Sequence, residues 1–167
     1  GSAIHELFGE RMDRGELPMR VAGTFAYDAP PEVMYGVFTH PDALRNATPG
    51  LQSLREAGPD RWEAEIKVGL GGFGLIYAGT VTVTDRRPGE GYRIHMAAQT
   101  AHGAAGAEVE ARLRFEPRDG GGTVVAYEAD VVFKGGQALQ PAIARGLVGF
   151  FLHGIKEYVQ KAQRRSL

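Results

Sequence analysis

Hydrophobic and polar residues alternate along most of the chain between residues 20 and 133, which is the pattern of strands with one apolar face. The clearest run is 108–116, in which Val109, Ala111, Leu113 and Phe115 alternate with charged residues. Turns rich in glycine, proline and aspartate separate the runs. The pattern predicts seven strands, at 20–27, 51–57, 61–70, 73–84, 92–98, 108–116 and 125–133.

Three other segments are predicted to be helical. Two short helices are expected at 32–38 and 42–46, each directly after a proline, and 137–164 is the only segment long enough for a major helix. A long helix with a broad apolar face needs a sheet to bury it, and strands joined by short turns imply antiparallel pairing. We therefore predict an α+β fold, in which a curved antiparallel seven-stranded sheet wraps around a long C-terminal helix, with two short helices after strand 1.

The long helix carries two apolar stripes, and only one of them can face the sheet fully. The stripe expected to do so consists of Leu139, Ile143, Leu147, Phe150, Phe151, Gly154 and Tyr158. The second stripe consists of Val148, Leu152, Ile155 and Val159, and it lies beside a basic helix end. An apolar stripe next to cations suits a membrane surface or a docking partner. The alternatives are a homodimer contact or burial under the N-terminal residues.

Composition limits the classes of function. The length of 167 residues favours a single domain, which we place at 19–167, and residues 1–18 are expected to be a tag remnant or an N-terminal extension. The formal net charge of −1 removes the electrostatic argument for a nucleic-acid partner. The absence of cysteine excludes disulfides and thiolate metal sites, which fits a cytoplasmic location.

The residues predicted to face the helix are aliphatic or aromatic, and tyrosine hydroxyls are almost their only polar groups. Acid/base catalysis needs titratable groups in a cleft, so no catalytic residue is predicted. An apolar cavity with a few hydroxyls suits a hydrophobic small molecule, although a solid core would have the same periodicity. The predicted ligand-binding residues are Met34, Phe38, Phe73, Tyr77, Tyr92, Met96, Tyr127, Ile143, Leu147, Phe150 and Phe151. The glycine-rich segments 69–74 and 101–107 are expected either to gate the cavity or to be ordinary loops.

Two motifs are rejected on context. Residues 69–74 match G-x-G-x-x-G, but a strand follows them where a dinucleotide site needs a helix N-terminus. The five histidines lack the spacing of a metal site, and His95 and His153 are expected at the surface or at an edge. No metal and no cofactor is predicted.

Three short motifs carry a resemblance to a known family. They are 29–32 (APPE) before the first helix, 49–51 (PGL) after the second, and 123–130 (TVVAYEAD) in the last strand. From residue 19 to about 136 the sequence resembles the CoxG family of carbon monoxide dehydrogenase proteins, part of the helix-grip superfamily of START and birch-pollen-allergen domains. The resemblance implies a helix-grip fold and a cavity for a lipid or a quinone. It also implies an accessory role beside a molybdenum hydroxylase, with a carbon monoxide dehydrogenase-like complex or the inner membrane face as partner.

Three functions remain open from the sequence. The first is non-catalytic binding or transport of a hydrophobic small molecule. The second is a cyclase or hydratase of the same fold, which would use tyrosine hydroxyls and an ordered water. The third is an adaptor that docks a partner through the second stripe of the long helix.

Overall fold

The structure, a computed structural model, describes residues 19–68, 74–103, 105–134 and 141–165, with the backbone alone for 141–144. Within these ranges the chain forms seven strands and three helices in the predicted order. The strands are β1 (Met19–Tyr27), β2 (Leu51–Gly58), β3 (Arg61–Val68), β4 (Leu75–Arg87), β5 (Gly91–Thr100), β6 (Gly106–Pro117) and β7 (Thr123–Lys134). The helices are α1 (Pro31–Val37), α2 (Pro41–Ala47) and α3 (Pro141–Arg165).

The seven strands form one open antiparallel sheet in the order β1-β7-β6-β5-β4-β3-β2. The fold class is the predicted one, and the element boundaries differ from the predicted ones by three residues or fewer where both are described. Parts of three predicted elements lie outside the described residues: strand residues 69, 70 and 73 and helix residues 137–140.

The pairing register confirms which strand residues share a face. Val21 on β1 lies opposite Ala129, which lies opposite Ala111, and the line continues through Ile94 to Val83. Paired residues in an antiparallel sheet point to the same side. This side, the concave face, carries the core under α3, whereas the convex face carries the charged residues of the strands.

The C-terminal half of α3 packs on α2 and β1 through the stripe that was predicted to dock a partner. Leu152, Ile155 and Val159 are 4%, 0% and 5% exposed. In contrast, Leu147 and Phe150, which were predicted to face the sheet, are 44% and 67% exposed. The predicted helix orientation is therefore wrong by roughly a quarter turn. The docking role of the second stripe is also wrong, because three of its four residues are buried within the fold and Val148 is half-buried against the core.

Close contacts fix this orientation. The Tyr27 hydroxyl, buried under α3, donates a hydrogen bond of 3.0 Å to the Leu152 carbonyl. On the side of α3 that faces α2, Gly154 lies so near that an added Cβ would be 2.7 Å from the Cα of Ala47. A helix can approach another this closely only where a side chain is absent. Sheet, α3 and α2 are thus held together at the C-terminal half of α3.

Candidate ligand-binding site

A row of small side chains crosses the concave face. In the register, Ala107 lies opposite Ala98, Ala98 opposite Gly79, and Gly79 opposite Ala64. Strands are spaced by about 4.8 Å, so the row runs for roughly 14 Å across four strands. We call it the small-residue trough. Its ends are larger, with Phe133 opposite Ala107 and Leu54 opposite Ala64.

Larger side chains border the trough on both sides. Trp62, Val81 and Met96 form the adjacent row on one side, and Ile66 and Tyr77 form it on the other. All five are only half-buried, although they lie on the face that α3 covers elsewhere. The trough and its borders are therefore accessible and apolar, which is the surface that a hydrophobic ligand needs.

The opposite end of the concave face is solid. Val83, Tyr92, Phe115 and Val125 are buried there in one cluster with α1 and α3. Phe38 makes edge contacts with Tyr27, Phe115 and Phe151, whose ring centroids lie 5.7–6.0 Å from its own. The sequence left open whether the interior was a core or a cavity. In the described residues the face is divided, with a packed core at one end and the open trough at the other.

The close approach of the β5 backbone explains why residue 79 in the trough is a glycine. A Cβ at Gly79 would lie 2.2 Å from the Ala97 carbonyl oxygen and 2.7 Å from the Ala98 Cβ. No larger residue fits without moving β5. The space above Gly79 is consequently kept open by the strand packing itself.

Hydroxyl groups differ in their availability to a ligand. The Tyr92 hydroxyl donates to the Tyr35 carbonyl oxygen at 3.3 Å, and the Tyr27 hydroxyl is committed to Leu152. Burial raises the pKa of both phenols, so both stay neutral. Within the described residues, the hydroxyls of Tyr77 and Tyr127 make no hydrogen bond to protein. Of these two, Tyr77 borders the trough and its hydroxyl remains for a guest, whereas Tyr127 lies in the row of Tyr92 at the packed end.

The predicted ligand-binding residues separate into four groups. Tyr77 and Met96 border the trough, and the ring of Tyr127 lies over Gly23 on the same face. Met34, Phe38 and Tyr92 are buried in the packed core, which corrects their prediction as walls of an open cavity. Of the helix residues, Leu147 and Phe150 are exposed and Phe151 packs against the core. Phe73 and the side chain of Ile143 lie outside the described residues.

Several site residues escaped the sequence reasoning. Ala64, Gly79, Ala98 and Ala107 are individually ordinary strand residues, and they form a row only through the strand register. Register cannot be read from alternation alone, because a shift by two residues preserves every inward and outward assignment. The sequence indicated only that the alanines occupy inward-facing positions of their strands.

One charged group lies beside the packed end. Arg86 binds Asp60 through Nε and Nη2, at 3.0 and 2.8 Å, and its guanidinium lies over the rings of Tyr35 and Tyr92. The hydrogen bond to Asp60 is the largest cause of the raised pKa of Arg86, so this arginine is charged at every physiological pH. Its partners tie the β2–β3 turn, β4 and α1 together. We assign Arg86 a structural role.

His95 lies on the outer, convex face of the sheet, as predicted, but it is not exposed at the surface. It lies on the convex face with its Nε2 3.0 Å from the Thr84 hydroxyl, and it is only 6% exposed. The prediction of a surface residue is therefore wrong. Glu108, on the neighbouring strand, is equally buried on the same face. In the described part of the chain, the buried carboxylate and imidazole groups thus lie behind the sheet and away from the trough.

Exposed hydrophobic residues occur near the same end of the sheet as the trough. Val68 and Leu75 are paired at the free ends of β3 and β4, and Ile76 follows them. The rejected G-x-G-x-x-G match and the predicted gate at 69–74 fall mostly outside the described residues, and so does residue 104 of the second predicted gate. Among the described helices, none is long and apolar enough to cross a membrane.

The sequence profile of the carbon monoxide dehydrogenase CoxG family matches residues 23–140. The match spans β1 to β7, including every strand residue of the trough. The chain belongs to the CoxG family. A comparison with curated proteins gives no match.

Solved structures share the fold of this CoxG-family chain. A conserved protein from Geobacillus kaustophilus superposes with a TM-score of 0.77 at 20% identity, covering 86% of this chain and 97% of that one. A START superfamily protein from Mycobacterium smegmatis has a TM-score of 0.60 at 15% identity, with 86% and 98% coverage. The ZhuI aromatase/cyclase from Streptomyces sp. R1128 has a TM-score of 0.59 at 15% identity, with 90% and 96% coverage. At these identities the similarity shows the helix-grip fold alone.

Proposed function

We propose that this chain binds a hydrophobic small molecule of the lipid or quinone class in the small-residue trough, and that it does so without catalysing a reaction. The observation that supports the proposal is the division of the concave face. Trp62, Tyr77 and Met96 remain half-exposed around a row of alanine and glycine, whereas Tyr92 and Phe115 at the other end of the same face are buried. Leaving this much apolar surface accessible costs stability unless a ligand covers it.

The trough has the chemistry of a carrier more than that of an enzyme. At its border the Tyr77 hydroxyl makes no hydrogen bond to a described residue, whereas the hydroxyl of Thr100, opposite it, donates to the Ala105 carbonyl oxygen. Neither hydroxyl is paired with a carboxylate or an imidazole among the described residues. A phenol hydroxyl donates a hydrogen bond, which would orient a carbonyl or headgroup oxygen of the guest. Family membership and the START-like fold favour the same kind of function. We infer an accessory role of this carrier beside a carbon monoxide dehydrogenase-type enzyme.

Filling the trough should block binding. Trp62 is the only tryptophan of the chain and borders the trough, so its fluorescence should fall as the probe decylubiquinone binds. Ala98→Leu adds a branched side chain between Gly79 and Ala107. We expect this variant to raise the Kd for decylubiquinone at least about tenfold, because steric exclusion removes about 1.4 kcal/mol or more of binding free energy.

A matched control is available one residue from Gly79. Ala78 is exposed on the convex face of β4, and Ala78→Leu makes the same chemical change on the wrong side of the sheet. Its Kd should stay within about twofold of the wild-type value. Equal weakening by the two variants, or unsaturable quenching in the wild type, would refute the proposal. Native mass spectrometry of protein from cells, before and after organic extraction, should independently detect the natural guest.

The free hydroxyl of Tyr77 gives a second test of ligand binding, which also addresses the cyclase alternative. In Tyr77→Phe the loss of one hydrogen bond should raise the Kd for decylubiquinone by about three- to tenfold. Tyr92→Phe is the control, because that hydroxyl already donates to the Tyr35 carbonyl and its loss should lower stability without changing the Kd. If wild-type protein converted the bound molecule to a product and Tyr77→Phe did not, the protein would instead be an enzyme.

A further inference from the structure

Four arginines lie together on the convex face, around a glycine. The register places Arg87 and Arg114 on either side of Gly91, and it places Arg93 directly opposite Arg112 in the next row. Like charges that face each other across strands destabilise the pair. Carboxylates near Arg93, and Glu128 opposite Arg112 on β7, offset part of this repulsion, and an anion bound to the exposed arginines would offset more of it.

A cleft of about 920 Å³ contains this cluster. Its lining includes all four arginines, together with Gly91. An added Cβ at Gly91 would lie 2.3 Å from the Leu113 carbonyl oxygen, so close strand packing requires glycine here. As a result, the four arginines surround a position that has no side chain of its own.

Two of the four guanidinium groups have carboxylate partners. Arg93 lies 3.2 Å from Asp85 and 3.4 Å from Glu110, and Arg114 lies 3.5 Å from Glu116. Arg87 and Arg112 are exposed and form no ion pair with any residue that the structure describes. The other two carboxylates of the lining, Glu32 and Glu90, belong to α1 and to the β4–β5 turn rather than to the strands. Two cations are therefore available to a ligand.

We propose that this arginine cleft is a second binding site, which takes a phosphate-bearing small molecule. Guanidinium groups match the oxygens of phosphate in a bidentate manner, and the volume is within the range of small-molecule sites. The site is distinct from the trough, because Gly91 is seven residues, or about 23 Å, along β5 from Ala98 and its neighbouring arginines lie on the opposite face. The proposal consequently does not depend on the function proposed for the trough.

The test uses inorganic pyrophosphate as the probe, titrated into the full chain at constant ionic strength and followed by the Nε–H signals of arginine in NMR. We expect saturable shifts at Arg112 and its neighbours in the cluster. Arg112→Ala should raise the Kd at least about fivefold, because a charge-assisted hydrogen-bond pair is lost. Arg61→Ala is the matched control, since Arg61 is exposed on the same sheet but lies on β3, outside the cleft. The Kd of the Arg61→Ala variant for pyrophosphate should stay within about twofold of the wild-type value.

Folding does not confound this comparison. Removing Arg112 relieves repulsion with Arg93 and loses the attraction of Glu128, which lies opposite it on β7, so the Tm of Arg112→Ala should stay within about 3 °C of the wild-type value. The proposal is overturned if Arg112→Ala and Arg61→Ala change the Kd equally, or if the shifts never saturate. It is also overturned if citrate shifts the same signals with the same Kd, since the site would then not select phosphate.

Discussion

Replacing Leu152 with glutamate is expected to unfold much of the protein. Leu152 is 4% exposed and belongs to the core cluster with Tyr27, Ile155 and Val159. The variant loses the burial of a leucine side chain and places a carboxylate in the core, where the neighbours in the described core cluster are uncharged. These two effects together should cost at least about 4 kcal/mol, a large part of the stability of an ordinary domain. Thermal unfolding followed by circular dichroism should show a Tm lowered by more than about 10 °C.

The same substitution two residues earlier should be nearly harmless. Phe150 is 67% exposed, and Phe150→Glu exchanges an accessible ring for a solvated carboxylate. We expect its free energy of unfolding to stay within about 1 kcal/mol of the wild-type value. The pair of variants tests the orientation of α3 directly. If Leu152→Glu were tolerated and Phe150→Glu unfolded the chain, the orientation predicted from the sequence would be correct and the structure wrong.

The helix orientation shows where sequence reasoning fails. α3 has apolar residues around most of its circumference, so Leu147 and Phe150 give as good a periodic stripe as Leu152 and Ile155 do. Periodicity cannot choose between two stripes. What decides is the partner: Gly154 allows α2 to approach, and the Tyr27 hydroxyl needs the Leu152 carbonyl. Both contacts join residues that are more than 100 positions apart in sequence.

The strands were predictable because their signal is local. Each alternating run needs only its own residues to show which side is apolar, and proline or glycine at the turns marks where it ends. The seven strands and their inward faces therefore follow from the sequence. The trough does not, because it depends on which residue of one strand lies opposite which residue of the next. Ala64 and Ala107 belong to one row only after three intervening pairings are known.

Adding a single methyl group at Gly154 should separate the two helices that it joins. An alanine Cβ there would lie 2.7 Å from the Cα and 2.9 Å from the Cβ of Ala47, so backbone must move to admit it. Overpacking of this kind costs about 1–3 kcal/mol, and occasionally more where the obstacle is backbone. The better helix propensity of alanine returns about 1 kcal/mol at most. We expect Gly154→Ala to lower the free energy of unfolding by about 2 kcal/mol in urea denaturation.

A glycine-to-alanine substitution at Gly149, on the same helix, is expected to have the opposite effect on stability. An added Cβ at Gly149 meets nothing within 4 Å, so Gly149→Ala should raise stability by about 0.5–1 kcal/mol through helix propensity alone. Opposite signs for the two variants, with unchanged m-values, would show that α3 is pressed against α2 at Gly154 and free at Gly149. Stabilisation by both would mean that the helices are farther apart than the contact at Ala47 requires, and the packing of α3 on α2 at Gly154 would be refuted.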